Sequence, residues 1–322
     1  MLEDALYVIQ DYFLWLKRRI GIFCFCFGAF LLLPVMMAKS VFHYAKGQDY
    51  FSDPRGKPRL IKYWSDLVEF VLSSMVLNTK QPTEEALAAA KNSPTRDSGD
   101  GIRVQLTDLY IEFQPSEKFV EERNGQPLIG VIIFPGAFVS PFAYSVLART
   151  LAQRGHPSFI LRLPFDLAFY GWDTAGKIIK RPLRADRPVA PTKWVLAGHS
   201  LGSFGVSSFT AGRPECVHGV VFMGAGNRSG GRLSTIDVPA LVIMGSRDPF
   251  TLEKARHYGT DMRELAHKMP KDTETVVVEG GNHRGFAFYN RQPLDWEATI
   301  TPTEQHQIMV EALTDFIKRK VA

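Results

Sequence analysis

Three residues whose types suit acyl-transfer chemistry, Ser200, Asp248 and His283, occur in that order, each shortly after a β-prone run. Ser200 lies in Gly198-His199-Ser200-Leu201-Gly202, between an apolar stretch and a helical pattern of small residues. That is the G-x-S-x-G context in which a serine is raised on a tight strand-to-helix turn, the nucleophile elbow. Glycines two residues to either side fit, because side chains there would collide where strand and helix cross. Asp248 closes Gly245-Ser246-Arg247-Asp248, and His283 closes Glu279-Gly280-Gly281-Asn282-His283. In open α/β sheets the ligand crevice lies beyond the carboxyl ends of the strands, where these three segments would meet. The roles follow from the chemistry. Ser200 attacks an acyl carbonyl, His283 takes and returns the proton, and Asp248 orients the imidazole and stabilises its charged form.

Each residue alone has a plainer reading. Ser200 could start a helix, Asp248 could cap one with Pro249 at its first position, and His283 could bond to backbone in a loop. Asp237 and Asp272 are rival acids, but neither follows a strand end. His199 is read as packing or bonding locally. The joint placement after successive strands favours the catalytic set. Such a site also needs donors for an oxyanion. The backbone N–H of Leu201 is one, and the loop Pro135-Gly136-Ala137-Phe138 supplies the other from Ala137 or Phe138, since proline has no N–H.

The elements that must position these residues begin near residue 102, where strand and helix signals alternate as in an α/β fold with a mostly parallel sheet. Residues 103–106 and 109–113 alternate in period two and read as an antiparallel opening pair. The continuous apolar run 128–134, LIGVIIF, reads as a strand buried on both faces. Further strands are expected at 158–163, 193–197, 217–223, 240–244 and 275–279, and helices at 141–153, 251–268 and 303–319. Aromatics crowd Pro164–Pro191, with Phe165, Phe169, Tyr170 and Trp172, as a pocket wall for an apolar group or as core beneath a loop.

Composition bounds the rest. A chain of 322 residues with 45% hydrophobic and 22% charged residues suits one catalytic domain plus an appendage. The net charge of +5 is mild and forms no basic stripe with interleaved aromatics, which sets nucleic-acid binding aside. Cys24, Cys26 and Cys216 make no disulfide framework. Residues 20–38, IGIFCFCFGAFLLLPVMMA, carry no charge and match a bilayer core in length, so a retained transmembrane helix is expected there. Basic residues flank it on both sides, and the positive-inside rule gives no orientation. Residues 1–46 then read as an amphipathic segment and single-pass anchor, 47–101 as a linker with accessory helices at 60–77 and 84–91, and 102–322 as the catalytic domain.

Taken together, GHSLG, FPGAFVSPFAY, LRLPFDLAF, GSRD, EGGNHRGFAFY and the ATIT-x-x-EQ stretch resemble compact α/β-hydrolases related to dienelactone hydrolase. The likeness spans roughly residues 100–320, and residues 1–100 have no part in it. It implies the α/β-hydrolase fold, a twisted, mostly parallel sheet with helices on both faces, and Ser200, Asp248 and His283 as the triad. Gly136-Ala137 departs from the two glycines frequent in that group. The expected activity is hydrolysis of a carboxylic or lipid-like ester with neither metal nor organic cofactor. The partners expected are that ester and the bilayer through residues 20–38. Two other readings stand beside it: a catalytically silent subunit of a membrane assembly, and an acyltransferase using the same residues.

Overall fold

The apolar runs read as doubly buried strands form the middle of an eight-stranded sheet in a computed structural model, which describes residues 79–91, 100–116, 119, 127–181, 190–226, 232–251, 269–292 and 294–322. The strands are β1 (Arg103–Leu106), β2 (Tyr110–Gln114), β3 (Ile129–Phe134), β4 (Ser158–Leu161), β5 (Lys193–His199), β6 (Gly219–Met223), β7 (Ala240–Gly245) and β8 (Thr273–Val278). Their order across the sheet is β1-β2-β4-β3-β5-β6-β7-β8. β2 pairs antiparallel with β1 and β4, and every other pairing is parallel. The helices are α1 (Glu84–Ala89), α2 (Ser145–Gln153), α3 (Thr174–Ile179), α4 (Gly202–Gly212) and α5 (Pro302–Phe316).

Strand alternation sends successive side chains to opposite faces, and each face is covered by helices. Val131, Ile133, Val195, Ala197 and Ile243 pack against Leu147 and Leu151 of α2 and Met309, Leu313 and Phe316 of α5. Ile132, Phe134, Leu196, Phe222 and Val242 pack against Ile178 of α3 and Val206 and Phe209 of α4. α5 starts cleanly because Thr301 and Glu304 form a reciprocal capping box ahead of Pro302.

β2 departs from the half-exposed strand its alternation predicts. All five residues are buried, and the Glu112 carboxylate is covered by an ion pair with Arg181. Residues Lys80–Ala322 form one unit, so the stretch at 80–91, expected as a surface connection, packs with the sheet domain. The expected helices at 60–77 and, past residue 251, at 251–268, and the span 20–38, lie outside the described residues. Among the described residues no helix is long and apolar enough to cross a membrane.

Register brings the chemistry to one edge. Phe134 stands beside Gly198, His199 beside Met223, Met223 beside Ile243, and Gly245 beside Val278. The loops after β3, β5, β6, β7 and β8 therefore leave the sheet side by side at its carboxyl edge.

Candidate active site

β5 ends at His199, and Ser200 follows in a left-handed conformation with φ +51°. A serine held there is strained by roughly 1–3 kcal/mol, a cost that the surroundings must offset. The Ser200 N–H donates to the Met223 carbonyl at the end of β6 (2.9 Å), and α4 begins two residues later. The crossing is tight. A Cβ at Gly202 would stand 2.0 Å from the Phe134 carbonyl oxygen, so only glycine fits. Gly224, after β6, has φ +58°, and a Cβ on it would lie 3.0 Å from both Asp248 Oδ2 and His283 Nδ1. The acid and the base thus rest directly on that bare backbone.

Asp248, after β7, is fully buried and His283, after β8, nearly so. His283 Nδ1 donates to Asp248 Oδ2 at 2.8 Å, which leaves Nε2 of the neutral ring free to accept a proton. Asp248 Oδ1 accepts from the N–H groups of Phe250 (2.9 Å) and Thr251 (3.3 Å), and Oδ2 also accepts from Thr251 Oγ (2.9 Å). The helix-cap geometry considered for Asp248 therefore coexists with its bond to the histidine. These four hydrogen bonds compensate the burial of the carboxylate.

The His283 loop is fastened on every side. Its N–H and that of Arg284 donate to the half-buried Asp295 carboxylate (3.2 and 2.8 Å), whose pKa partial burial pushes up to about 7. Gln305 of α5 clasps the Asn282 peptide through both amide atoms (3.0 and 2.8 Å). The Phe250 ring lies 4.5 Å from the His283 ring, and the His199 ring 4.8 Å from it.

Three of the predicted residues are thus gathered at the carboxyl edge, after β5, β7 and β8, but not all are bonded. Asp248 and His283 are joined. Ser200 Oγ has no hydrogen-bond partner among the described residues, and it sits one residue beyond the histidine that stacks on His283.

The loop after β3 is pinned peptide by peptide. Gly136 N–H donates to Tyr144 Oη (2.8 Å), and the Gly136 carbonyl accepts from Val139 N–H (3.3 Å). Phe138, at φ +54°, donates its N–H to the Asp166 carbonyl (2.9 Å). The N–H groups of Ala137 and Leu201 have no partner among the described residues, whereas that of Phe138 is committed.

Sequence reasoning did not find Tyr144, Thr251 or Asp295, and it gave His199 only a local role. Tyr144 is 55 residues from the histidine it bonds, and nothing in its own segment marks it.

With this geometry in place, the comparison with known families decides the assignment. A sequence model of the alpha/beta hydrolase family matches residues 130–307, more than half of the chain. The chain belongs to the alpha/beta hydrolase family. That is a family of hydrolases, and the eight-stranded, mostly parallel sheet is its fold. No curated protein matches the sequence. Among solved structures, the chain is similar to a dienelactone hydrolase from Anabaena variabilis (16% identity, 67% of this chain and 98% of that one, TM-score 0.47). It is also similar to Est1E from Butyrivibrio proteoclasticus (12% identity, 69% and 99%, TM-score 0.47). A third likeness is to mouse alpha/beta hydrolase domain-containing protein 10 (11% identity, 68% and 98%, TM-score 0.43).

Proposed function

We propose that this protein is a serine hydrolase that cleaves a carboxylic or lipid-like ester through an acyl-enzyme, with Ser200, His283 and Asp248 as its triad. The observation that carries the reading is the buried His283 Nδ1–Asp248 Oδ2 hydrogen bond at the strand edge from which Ser200 rises at φ +51°. Asp248 fixes the tautomer, so His283 Nε2 accepts the Ser200 hydroxyl proton as Oγ forms its bond to the acyl carbon. The carbonyl oxygen gains charge and is met by the N–H groups of Leu201 and Ala137. Phe138 is left out of this role because its N–H already serves Asp166. The imidazolium then protonates the leaving alcohol, and the C–O bond to it breaks. Water attacks the acyl-enzyme by the same route, giving the acid and free Ser200.

Aromatic groups beside the site support an apolar substrate portion. Phe169, 43% exposed, meets Phe204 of α4 edge to face (4.7 Å), and Phe250 covers the His283 ring. Residues 20–38 are proposed to hold the enzyme at a membrane where such esters partition.

The test is covalent labelling with a fluorophosphonate probe, together with hydrolysis of short-chain p-nitrophenyl esters. Wild type should label and turn over, and Ser200→Ala should do neither while keeping its thermal midpoint. Equal labelling of the two would overturn the nucleophile assignment.

A further inference from the structure

The segment just before α1 looks from its sequence like a connection over the surface, yet it is stitched into the site. Lys80 N–H donates to the Phe138 carbonyl (2.7 Å), and the Lys80 carbonyl accepts from Ser140 N–H (3.2 Å). One and three residues on, the Gln81 carbonyl accepts from Asn290 N–H (3.1 Å) and Thr83 N–H donates to the Phe288 carbonyl (3.0 Å). Residues 80–83 thereby join the loop after β3 to the chain that follows His283.

The Lys80 side chain turns inward. Its ammonium donates to the Ala137 carbonyl at 3.0 Å and lies 5.9 Å from the centre of the Tyr289 ring. Among the described residues it has no carboxylate partner. Partly burying a cation without a counter-charge costs stability, and methionine would fill the same space without that cost. The position is better explained by what the ammonium touches.

The Ala137–Phe138 peptide is held at both ends, its carbonyl by Lys80 and its N–H by the Asp166 carbonyl. The preceding peptide has its carbonyl tied to Val139 N–H, which aims the Ala137 N–H the opposite way because the peptide is planar and trans. Lys80 thus clamps the hinge between the two peptides. It also brings a positive charge to a partly buried site beside the peptide where anionic charge would develop.

We propose that Lys80 is a positioning residue of the oxyanion site, holding the Ala137 carbonyl so that the Ala137 N–H stays aimed at the developing alkoxide. This rests on the serine hydrolase reading above. Burial also pushes the Lys80 pKa down to about 8, so its charge is lost within a measurable pH range. Of the titratable groups around it, Asp295, raised to about 7 by burial, is largely ionised before Lys80 loses its charge, and the others do not change charge there. Tyr144 and Tyr289 are held above the ordinary tyrosine range by burial, and burial holds His199 well below the ordinary histidine range.

The experiment uses the full-length chain with p-nitrophenyl butyrate as substrate and a fluorophosphonate as active-site titrant. Lys80→Met should lower kcat about 10²-fold, the scale of one oxyanion donor, with KM within about threefold. Its thermal midpoint should be unchanged or higher, which a merely structural lysine would not allow. Wild-type kcat should decline above about pH 8. Lys80→Arg, whose cation does not titrate, should recover most of kcat and lose that alkaline limb. A Lys80→Met kcat within twofold of wild type overturns the proposal, as does a joint fall of kcat and thermal midpoint that arginine fails to restore. If wild type neither turns over nor labels, the triad reading itself fails and this proposal falls with it.

Discussion

The His199 Nε2 atom donates to the backbone carbonyl of His283 at 3.1 Å, so the residue preceding Ser200 holds the main chain of the proposed base. The carbonyl can only accept, so Nε2 carries the proton of the neutral ring, Nδ1 accepts from the Tyr144 hydroxyl (2.7 Å), and Tyr144 Oη accepts from Gly136 N–H. A chain of three hydrogen bonds runs from the oxyanion loop to the base. Tyr144→Phe would strand two buried groups, Gly136 N–H and His199 Nδ1, at about 1–3 kcal/mol each. Urea unfolding should show a loss of about 2–4 kcal/mol with the m-value unchanged, and kcat should fall by about tenfold at constant KM. A loss below about 0.5 kcal/mol would remove the chain from the account.

Asp248 carries two duties on separate oxygens, and substitution can part them. Asp248→Asn keeps an oxygen that can cap Phe250 and Thr251 but favours the wrong histidine tautomer. In triad enzymes that costs on the order of 10⁴ in kcat. Thr251→Val removes only the hydroxyl bonded to Oδ2 beside His283, and a loss of about tenfold is expected. Steady-state kinetics on the two variants, with circular dichroism to confirm folding, would separate the two partners of Oδ2. Equal losses would show that the Thr251 hydroxyl, not the histidine tautomer, is what matters.

Much of this arrangement is legible in the sequence because parallel central strands must be apolar on both faces. LIGVIIF can be read directly as a strand, and the turn residues after such runs mark the carboxyl edge. In the sequence Asp248 reads equally as cap or acid, since both uses need the same residue before Pro249, and in the structure it caps the following turn while bonding His283. What stays hidden depends on distance along the chain. Tyr144 with His199, Glu112 with Arg181, and Lys80 with Ala137 are joined only by tertiary approach, and no local pattern announces any of them. Of the two oxyanion candidates in the loop, only folding could commit the Phe138 amide to Asp166.

The crossing of β5 and α4 offers a test of the elbow geometry that does not involve chemistry. Gly202→Ala would place a methyl 2.0 Å from the Phe134 carbonyl oxygen, and backbone cannot yield there. A loss of more than about 3 kcal/mol, or failure to fold, is expected. Gly212→Ala, at the other end of the same helix, meets nothing within 4 Å and should stabilise by up to about 1 kcal/mol. Thermal melts of the pair would decide it, and similar shifts in both would mean that the helix is not seated so closely.

His306 makes the fold sensitive to acid at a point away from the candidate triad. It lies on α5 edge-on to Phe288 (5.2 Å), and among the described residues neither ring nitrogen has a hydrogen-bond partner. Burial, helped by the nearby Arg154 charge, pushes its pKa down to about 4. The unfolded chain, with an ordinary histidine near pH 6.5, binds the proton first on acidification. Stability from this group is therefore full above about pH 6.5 and lost as pH falls toward 4, by up to about 3 kcal/mol. His199, held well below the usual range, acts in the same direction, while Asp295, raised to about 7, acts in the opposite one. Comparing wild type with His306→Leu cancels those terms. Urea unfolding at pH 7.5 and 4.5 should show wild type losing about 2–3 kcal/mol relative to the variant between the two conditions. An identical difference at both pH values would mean that His306 takes up its proton in the folded state as readily as in the unfolded one.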